Sequence, residues 1–95
     1  MPHVIIRHRV ADYAQWKRIV NRSKDWRKKS GEKTFQVYRD SSNPNDLTVI
    51  CTWDTSARME KFIKSRELRE AMQDAGVISK PQIQFCSKVD DLTAK

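Results

Sequence analysis

The chain has 95 residues, of which 38% are hydrophobic and 33% charged, and its formal net charge is +7. This length allows one domain with a single core, and the composition is too hydrophobic for a disordered chain. Apolar runs such as Val4–Ile6 are far shorter than the roughly 20 residues of a membrane span, and the N-terminus has no signal-peptide pattern, so we expect a cytoplasmic protein.

The first two predicted elements are a strand and a helix. Residues His3 to Arg9 alternate in polarity and include β-branched side chains, which favours a strand. Asp12 begins a capping box, in which its carboxylate accepts from the amide three residues on. The helix is predicted to run to about Ser30, because Gly31 can adopt the left-handed conformation that ends helices.

A hairpin follows the first helix. Residues 33–40 and 47–53 have the composition of strands, and residues 41–46 between them are dense in turn formers. Two strands joined by so short a connection pair in antiparallel orientation. The sequence therefore predicts the second and third strands as one hairpin.

The last third of the chain predicts a second helix and a fourth strand. Residues 54–56 offer side chains that cap a helix N-terminus, Ser65 is expected to restart the helix after a kink, and Gly76 ends it. Residues 82–89 form the fourth predicted strand. Residues 90–95 form a short polar tail.

The order β-α-β-β-α-β predicts one ferredoxin-like α+β domain over residues 1–95. The usual solution is a four-stranded antiparallel sheet of order 4-1-3-2 with both helices on one face. The first strand then separates Cys51 from Cys86 by about 10 Å, at ~4.8 Å per strand, which is too far for a disulfide. We expect both thiols to be reduced and buried.

The two faces of this sheet differ in polarity. One set of alternating residues is strongly apolar, and the other places Ile5, Ile50 and Cys86 among small polar side chains. A face open to water would carry more charge. We therefore expect helices on one face and a second subunit on the other, which gives a homodimeric α+β barrel.

The positive charge is concentrated in the first half of the chain. Residues 1–40 hold 11 Lys/Arg and 4 Asp/Glu, whereas residues 41–95 hold 8 of each. A basic surface can bind an acidic ligand or nucleic acid, and it can equally be a solvated helix face. A ferredoxin-like RNA-binding module needs a Lys/Arg-Gly-Phe/Tyr pattern on the third strand, and residues 47–53 have no glycine and one aromatic residue, which disfavours nucleic acid.

Several segments carry a family resemblance over nearly the whole chain, from Val4 to about Val89. They are Val4-Ile-Ile-Arg-His-Arg-Val10 with Asp12, Tyr13 and Trp16, then Thr52-Trp53-Asp54, residues 65–77, and the strand after Pro81. These segments resemble the antibiotic biosynthesis monooxygenase-like family of the dimeric α+β barrel superfamily. The resemblance implies a homodimer whose two sheets enclose a pocket. It also implies kinship with cofactor-free oxygenases of aromatic polyketides, in which the substrate anion itself reacts with oxygen, and with heme-degrading enzymes.

Two motifs of such relatives are incomplete in this chain. Heme-degrading relatives use an Asn on the first strand, a Trp at the end of the third and a heme-ligating His on the second helix. Trp53 matches the Trp, but His8 stands at the Asn position and the second helix has no histidine, which disfavours heme. The polyketide oxygenases pair an Asn with a Trp four residues on, and Val49 stands at that Asn position.

Four residues are candidate site residues. His8 is a candidate catalytic base or anion donor, because its unperturbed pKa is near 6.5, although a histidine hydrogen-bonded within the fold is the plainer interpretation. Trp53 is a candidate for stacking an aromatic substrate, or is plain packing. Tyr38 and Arg39 are candidates for holding a carboxylate or phenolate, but neighbours on a strand point to opposite faces, so only one can line the pocket.

The sequence leaves open which sheet face lines the pocket. Polarity assigns the apolar set to the helices and places Arg7, Tyr38, Thr48 and Thr52 in the pocket. The resemblance places Trp53, and with it His8, in the pocket, and we follow the resemblance.

The sequence favours a cofactor-independent monooxygenase acting on a small aromatic or polyketide-like substrate. The alternative is a non-catalytic homodimer that binds a small apolar or aromatic ligand. We expect no cofactor and no metal, because the only histidines are His3 and His8 and the two cysteines have no further ligands beside them. With Gly31 and Gly76 as the only glycines, the chain has no phosphate-binding loop either.

Overall fold

A computed structural model describes residues 1–93 of the chain. Within them the elements follow the order β1 Pro2–Arg9, α1 Tyr13–Arg22, α2 Lys24–Ser30, β2 Glu32–Arg39, β3 Asp46–Trp53, α3 Ser56–Ile63, α4 Arg66–Asp74 and β4 Gln82–Ser87. β4 ends two residues before the predicted limit. The predicted tail has no regular structure over residues 90–93, and its last two residues lie outside the described part of the chain.

The four strands form one antiparallel sheet of order β2-β3-β1-β4, as predicted. β1 and β3 are the central strands, and Val4 lies opposite Cys51 while His8 lies opposite Leu47. β1 separates the strands that carry Cys51 and Cys86, and both thiols are free. Cys51 is buried, whereas Cys86 is partly exposed, so the expectation that both thiols are buried is wrong for Cys86.

The helices cover the apolar face of the sheet. On this face, the following side chains of β1 and β3 are almost fully buried: Val4, Ile6, His8, Leu47, Val49, Cys51 and Trp53. From the helices, Trp16, Met59 and Phe62 complete the core. Burying an aliphatic or aromatic side chain of this size stabilises the fold by about 1.5–3 kcal/mol each, so this layer supplies most of the driving force.

The predicted first helix is interrupted, so the expectation of one continuous helix to Ser30 is wrong. α1 ends at Arg22 and α2 begins at Lys24, with Ser23 between them. The Ser23 hydroxyl donates to the Val20 carbonyl at 2.9 Å, which is the local side chain to backbone bond by which serine competes with helix propagation. In contrast, the predicted restart at Ser65 is confirmed, since its hydroxyl accepts from the Leu68 amide at the start of α4.

The predicted helix ends are confirmed at both glycines, and one cap differs. Gly31 and Gly76 have φ values of +120° and +79°, a region that side chains disfavour. Asp12 caps α1 by accepting from the Ala14 amide at 3.1 Å, rather than from the amide of Gln15 as predicted. The Gln15 side chain instead donates to the Asp74 carbonyl at 3.1 Å, which ties α1 to the end of α4.

The opposite face of the sheet is only partly buried. Ile5, Thr48, Ile50 and Thr52 are neither fully buried nor fully exposed on this face. On the helix-covered face, by contrast, Ile83 and Phe85 of the edge strand β4 lie opposite Ile6 and Val4 and are still 41% and 37% exposed. No helix within residues 1–93 is long and apolar enough to cross a membrane.

Candidate functional site

A narrow cavity of about 70 Å³ lies between the helix-covered face of the sheet and the helices. Its wall is mostly aromatic and aliphatic, with Trp16, Val20, Phe35, Val49, Phe62 and Met72 among the lining residues. A water molecule needs roughly 10–15 Å³, while sites for drug-sized ligands span about 300–1,000 Å³. The cavity therefore accepts a few non-hydrogen atoms as it stands, and a larger ligand requires the helices to move.

His8 provides a polar group in this apolar wall. The residue is 4% exposed, and its ring centroid lies 5.9 Å from that of Trp16. Neither ring nitrogen has a hydrogen-bond partner among residues 1–93. Burial lowers the pKa of His8 below its ordinary value of 6.5, and the Asp46 carboxylate offsets only part of this effect. At neutral pH His8 is therefore an uncharged imidazole with one donor and one acceptor free.

Trp53 provides a second polar atom in the cavity wall. It is fully buried at the end of β3, with its ring centroid 5.0 Å from that of Phe62. Its indole N–H has no acceptor within the described residues. Leaving a buried donor unpaired costs about 1–3 kcal/mol, and such groups are rare in folded proteins. The unpaired nitrogens of His8 and Trp53 are thus the features of this cavity that call for a ligand.

These two residues lie at opposite ends of the cavity. His8 is opposite Leu47, and Trp53 is six residues further along β3. At ~3.3 Å per residue their backbone positions are separated by about 20 Å along the strands. A single aromatic ring cannot contact both residues, so they define two separate binding points.

An ion pair that the sequence did not reveal lies toward the Trp53 end, because Glu32 pairs with Trp53 in the sheet. The Arg27 guanidinium donates to the Glu32 carboxylate, and the two side chains are 10% and 8% exposed. Arg27 also donates to the Val20 carbonyl at 2.9 Å and to the Ser23 hydroxyl at 3.3 Å, and it lies 4.2 Å from the centre of the Phe35 ring. Every part of the guanidinium is therefore held by neighbouring groups.

The surroundings of this pair set its protonation. Burial raises the pKa of the Glu32 carboxyl, and the Arg27 guanidinium opposes that rise. Burial, together with the charge of Glu32, raises the pKa of the Cys51 thiol, so the thiol stays protonated and is a poor nucleophile. Helical periodicity groups Arg27 with the other basic residues of a charged segment, and no sequence signal shows that the break at Ser23 lets it turn inward.

Tyr38 and Arg39 do not line the cavity. Tyr38 lies opposite Thr48 and is 53% exposed. Arg39 lies on the other face at the sheet edge, with its guanidinium 4.4 Å from the centre of the Tyr13 ring. The predicted alternation of these two neighbours is confirmed, whereas their role in substrate binding stays a prediction.

The sequence left two opposite faces open for the pocket. The apolar set, which includes His8 and Trp53, faces the helices, as polarity predicted, and these two residues line a cavity on that face. The expectation that these two residues line a space between the sheets of two subunits is wrong, because the cavity that they line lies between the sheet and the helices of one chain. Among residues 1–93, no group of three or more His, Cys, Asp or Glu side chains is placed to hold a metal ion.

Solved structures share this fold, although no protein-family model and no curated protein sequence matches the chain. A candidate antibiotic biosynthesis monooxygenase from Bordetella bronchiseptica is similar with a TM-score of 0.76 at 19% identity, over 93% of this chain and 96% of that one. SnoaB, a cofactor-independent oxygenase from Streptomyces nogalater, gives 0.76 at 12% identity, over 98% and 97% of the chains. A candidate monooxygenase from Deinococcus radiodurans gives 0.67 at 15% identity, over 100% and 99%. The chain has the fold of the antibiotic biosynthesis monooxygenases.

Within this monooxygenase fold, the departures noted in the sequence fall on the cavity wall. Val49 and Trp53 lie four residues apart on β3 and both line the cavity. The wall is therefore apolar where the resemblance leads one to expect an Asn, and His8 at the other end is its nearest substitute in chemistry. Structural similarity at sequence identities below 20% shows a shared fold only. The chemistry therefore has to be argued from these residues.

Proposed function

We propose that the chain is a cofactor-independent monooxygenase that acts on a hydroxylated aromatic or polyketide-like substrate in the cavity between its sheet and helices. The observation that carries the proposal is the pair of buried residues, His8 and Trp53, whose side-chain nitrogens find no partner within residues 1–93 and border the same cavity. A fold that leaves such groups unpaired gains most when a ligand supplies the missing partners.

His8 is suited to remove the proton that starts the reaction. Its lowered pKa keeps the imidazole neutral, so one ring nitrogen accepts a proton from a phenolic or enolic hydroxyl of the substrate. The resulting anion reduces molecular oxygen, and the hydroperoxide formed on a ring CH₂ loses water to leave a carbonyl. One oxygen atom enters the product, and the other leaves as water with the two hydrogens of that carbon.

Trp53 is suited to hold the far end of the substrate. Its N–H donates to a carbonyl or hydroxyl oxygen, and Phe62 packs beside its ring. A fixed donor in a dry site stabilises developing negative charge better than water does, and removing one such donor typically lowers the rate about 10²- to 10³-fold. Because some 20 Å of strand separates Trp53 from His8, this role suits an elongated substrate with an oxygen at each end.

The same separation favours a second candidate function, a non-catalytic binding protein. A base and an anion-stabilising donor normally converge on one reacting centre, and here they lie six residues apart along the strand direction. A ligand held at both ends without turnover uses the same two groups.

Oxygen consumption with dihydroxynaphthalenes and hydroxyanthrones, corrected for autoxidation without protein, separates these two functions. The test variants are His8→Gln and Trp53→Phe. The controls are His3→Gln, on the other face of β1, and Tyr38→Phe, which also tests the predicted role of Tyr38 in substrate binding. We expect consumption that falls in the first two variants and persists in the controls. Binding without consumption indicates the non-catalytic function, and unchanged rates in the first two variants exclude this site.

We further propose that a second copy of the chain covers the open sheet face. Ile5 and Ile50 are partly exposed there and lie opposite each other on the two central strands. Light scattering after size-exclusion chromatography should give twice the chain mass, and Ile50→Asp should give a monomer. Val89→Asp, at a residue that is 93% exposed, is the matched control, and a monomeric wild type excludes the dimer.

A further inference from the structure

We propose that a groove between α1, α2 and the edge strand β2 is the mouth of the cavity, and that it selects aromatic ligands that carry a carboxylate. The groove has a volume of about 410 Å³, so a two-ring aromatic acid fits within it. This inference rests on the proposed function only in that it takes the cavity to be a ligand site.

The groove and the cavity lie on two sides of the same residues. Both spaces are lined by Trp16, Val20, Arg27, Glu32 and Phe35. The Arg27–Glu32 ion pair and the two aromatic rings thus form the partition between the groove and the cavity. A ligand that reaches His8 or Trp53 through the groove passes this partition.

Four lysines, which we call the mouth lysines, rim the groove and are exposed: Lys17, Lys24, Lys28 and Lys33. Of the described residues that line either space, Glu32 alone is acidic, and its charge is already paired with Arg27. A cleft lined by one sign of charge raises the local concentration of oppositely charged ligands and speeds their association by 10- to 10³-fold. The rim is therefore complementary to an anion.

The floor of the groove determines what kind of anion fits. Tyr13, Trp16, Phe35 and Val37 line it, so apolar and aromatic surface lies directly beneath the lysines. An aromatic carboxylate matches both parts, because its ring packs on the floor while its carboxylate faces the rim. A nucleic acid instead needs cations repeated along its backbone, and here the cations surround one depression that ends at a buried cavity.

Equilibrium binding of 2-naphthoate, with its neutral methyl ester as the comparison ligand, tests the proposal. In one variant the four mouth lysines are replaced by Gln. In the matched control, four exposed lysines remote from the groove are replaced by Gln: Lys61, Lys64, Lys80 and Lys88. Both variants lose the same net charge.

We expect wild-type protein to bind the acid more tightly than the ester. The mouth variant should lose about tenfold or more in affinity for the acid, and the control variant should lose less than about twofold, because exposed charges beyond a Debye length are screened. Ester binding should be unchanged in both. Raising the ionic strength from about 0.01 M to about 0.15 M, which shortens the Debye length from about 30 Å to about 8 Å, should weaken binding of the acid alone.

Several outcomes overturn the inference. Equal binding of acid and ester by the wild type, equal losses in the two variants, or no binding of the acid each exclude a carboxylate-selecting mouth. Competition of a single-stranded oligonucleotide with the acid indicates a nucleic-acid surface instead. Should the mouth variant fail to fold, the comparison of acid with ester and the salt dependence decide the matter on the wild type. Failure of the proposed function looks different, since oxygen consumption is then absent or unchanged by His8→Gln while the preference for the acid over the ester persists.

Discussion

Replacing His8 by leucine should make the protein more stable, although His8 is among its most buried residues. Its two ring nitrogens have no partner among residues 1–93, and a buried polar group left unpaired costs about 1–3 kcal/mol. Leucine has similar size, carries no polar atom and suits a wall that includes Ile6 and Trp16. We expect a gain of about 1–2 kcal/mol at pH 7, and for a domain of this size each kcal/mol corresponds to roughly 4–8 °C in Tm.

The gain should widen as the pH falls. Because burial lowers the folded pKa of His8, the folded and unfolded chains are both neutral at this site well above pH 6.5, and protonation of His8 has no effect on stability there. Below pH 6.5 the unfolded chain takes up a proton that the folded chain does not, so wild-type stability falls by up to ~1.4 kcal/mol per pH unit until the folded pKa is reached. The leucine variant has no such loss.

Other titrating groups cancel in this comparison. The raised pKa of Glu32 has the opposite effect, since its stabilising effect is lost as pH rises, but Glu32 is present in both proteins. The pKa of Asp46 is lowered by its hydrogen bond from Arg7, so this carboxylate titrates in a more acidic range. The difference between variant and wild type therefore isolates His8.

Urea denaturation at pH 7 and pH 5 measures both effects through the free energy of unfolding. His3→Leu is the control on the same strand, because His3 lies on the other sheet face and one of its ring nitrogens lies 2.9 Å from the Met1 carbonyl oxygen. A His8→Leu protein less stable than the wild type by 1 kcal/mol or more, or a difference that stays constant between the two pH values, would refute the reasoning. In that event the His8 ring has a hydrogen-bond partner in the folded protein and does not need a ligand to supply one.

Three further experiments probe the site. Arg27→Met should destabilise the protein by about 3–5 kcal/mol, measured by urea denaturation, because it leaves Glu32 charged and unpaired at a buried position, and adding Glu32→Gln should restore much of the loss. Trp53→Phe should cost less than about 1.5 kcal/mol, since it keeps a large ring and removes an unpaired donor, whereas Trp53→Ala should cost about 3–5 kcal/mol in the same assay. With a thiol reagent at pH 8, Cys86 should react in the folded protein and Cys51 only after unfolding, because burial raises the pKa of Cys51; equal rates would contradict its burial.

The parts of the fold that follow local rules were predictable. Alternation along β1 and β3 assigned each side chain to its face, and glycines 31 and 76 ended helices because their φ values are positive. The break at Ser23 was not predictable, because serine is acceptable both inside a helix and at a cap, and only tertiary contacts decide between them.

Two of the polar residues of the candidate site were predictable from the sequence, and its ion pair was not. His8 and Trp53 could be named because their residue types stand out on an apolar strand face. The Arg27–Glu32 pair could not, because its members look like ordinary charged residues near a turn, and their burial depends on how α2 turns after Ser23. Pairing across a helix-to-strand connection leaves no periodic signal in the sequence.

The ion pair that was missed determines how the cavity is reached. A cavity of about 70 Å³ cannot hold two fused rings until the helices move, and the roomier groove beside it shares Arg27 and Glu32 with the cavity wall. Admitting a ligand from that side requires Arg27 to release its contacts with Ser23, Val20 and Glu32, which join α1, α2 and β2. A ligand carboxylate is suited to this exchange, because it offers the guanidinium the same paired oxygens that Glu32 does. An anionic ligand thus replaces the contact with Glu32 that Arg27 gives up. A neutral ligand of equal size leaves the Arg27 guanidinium without a partner of opposite charge.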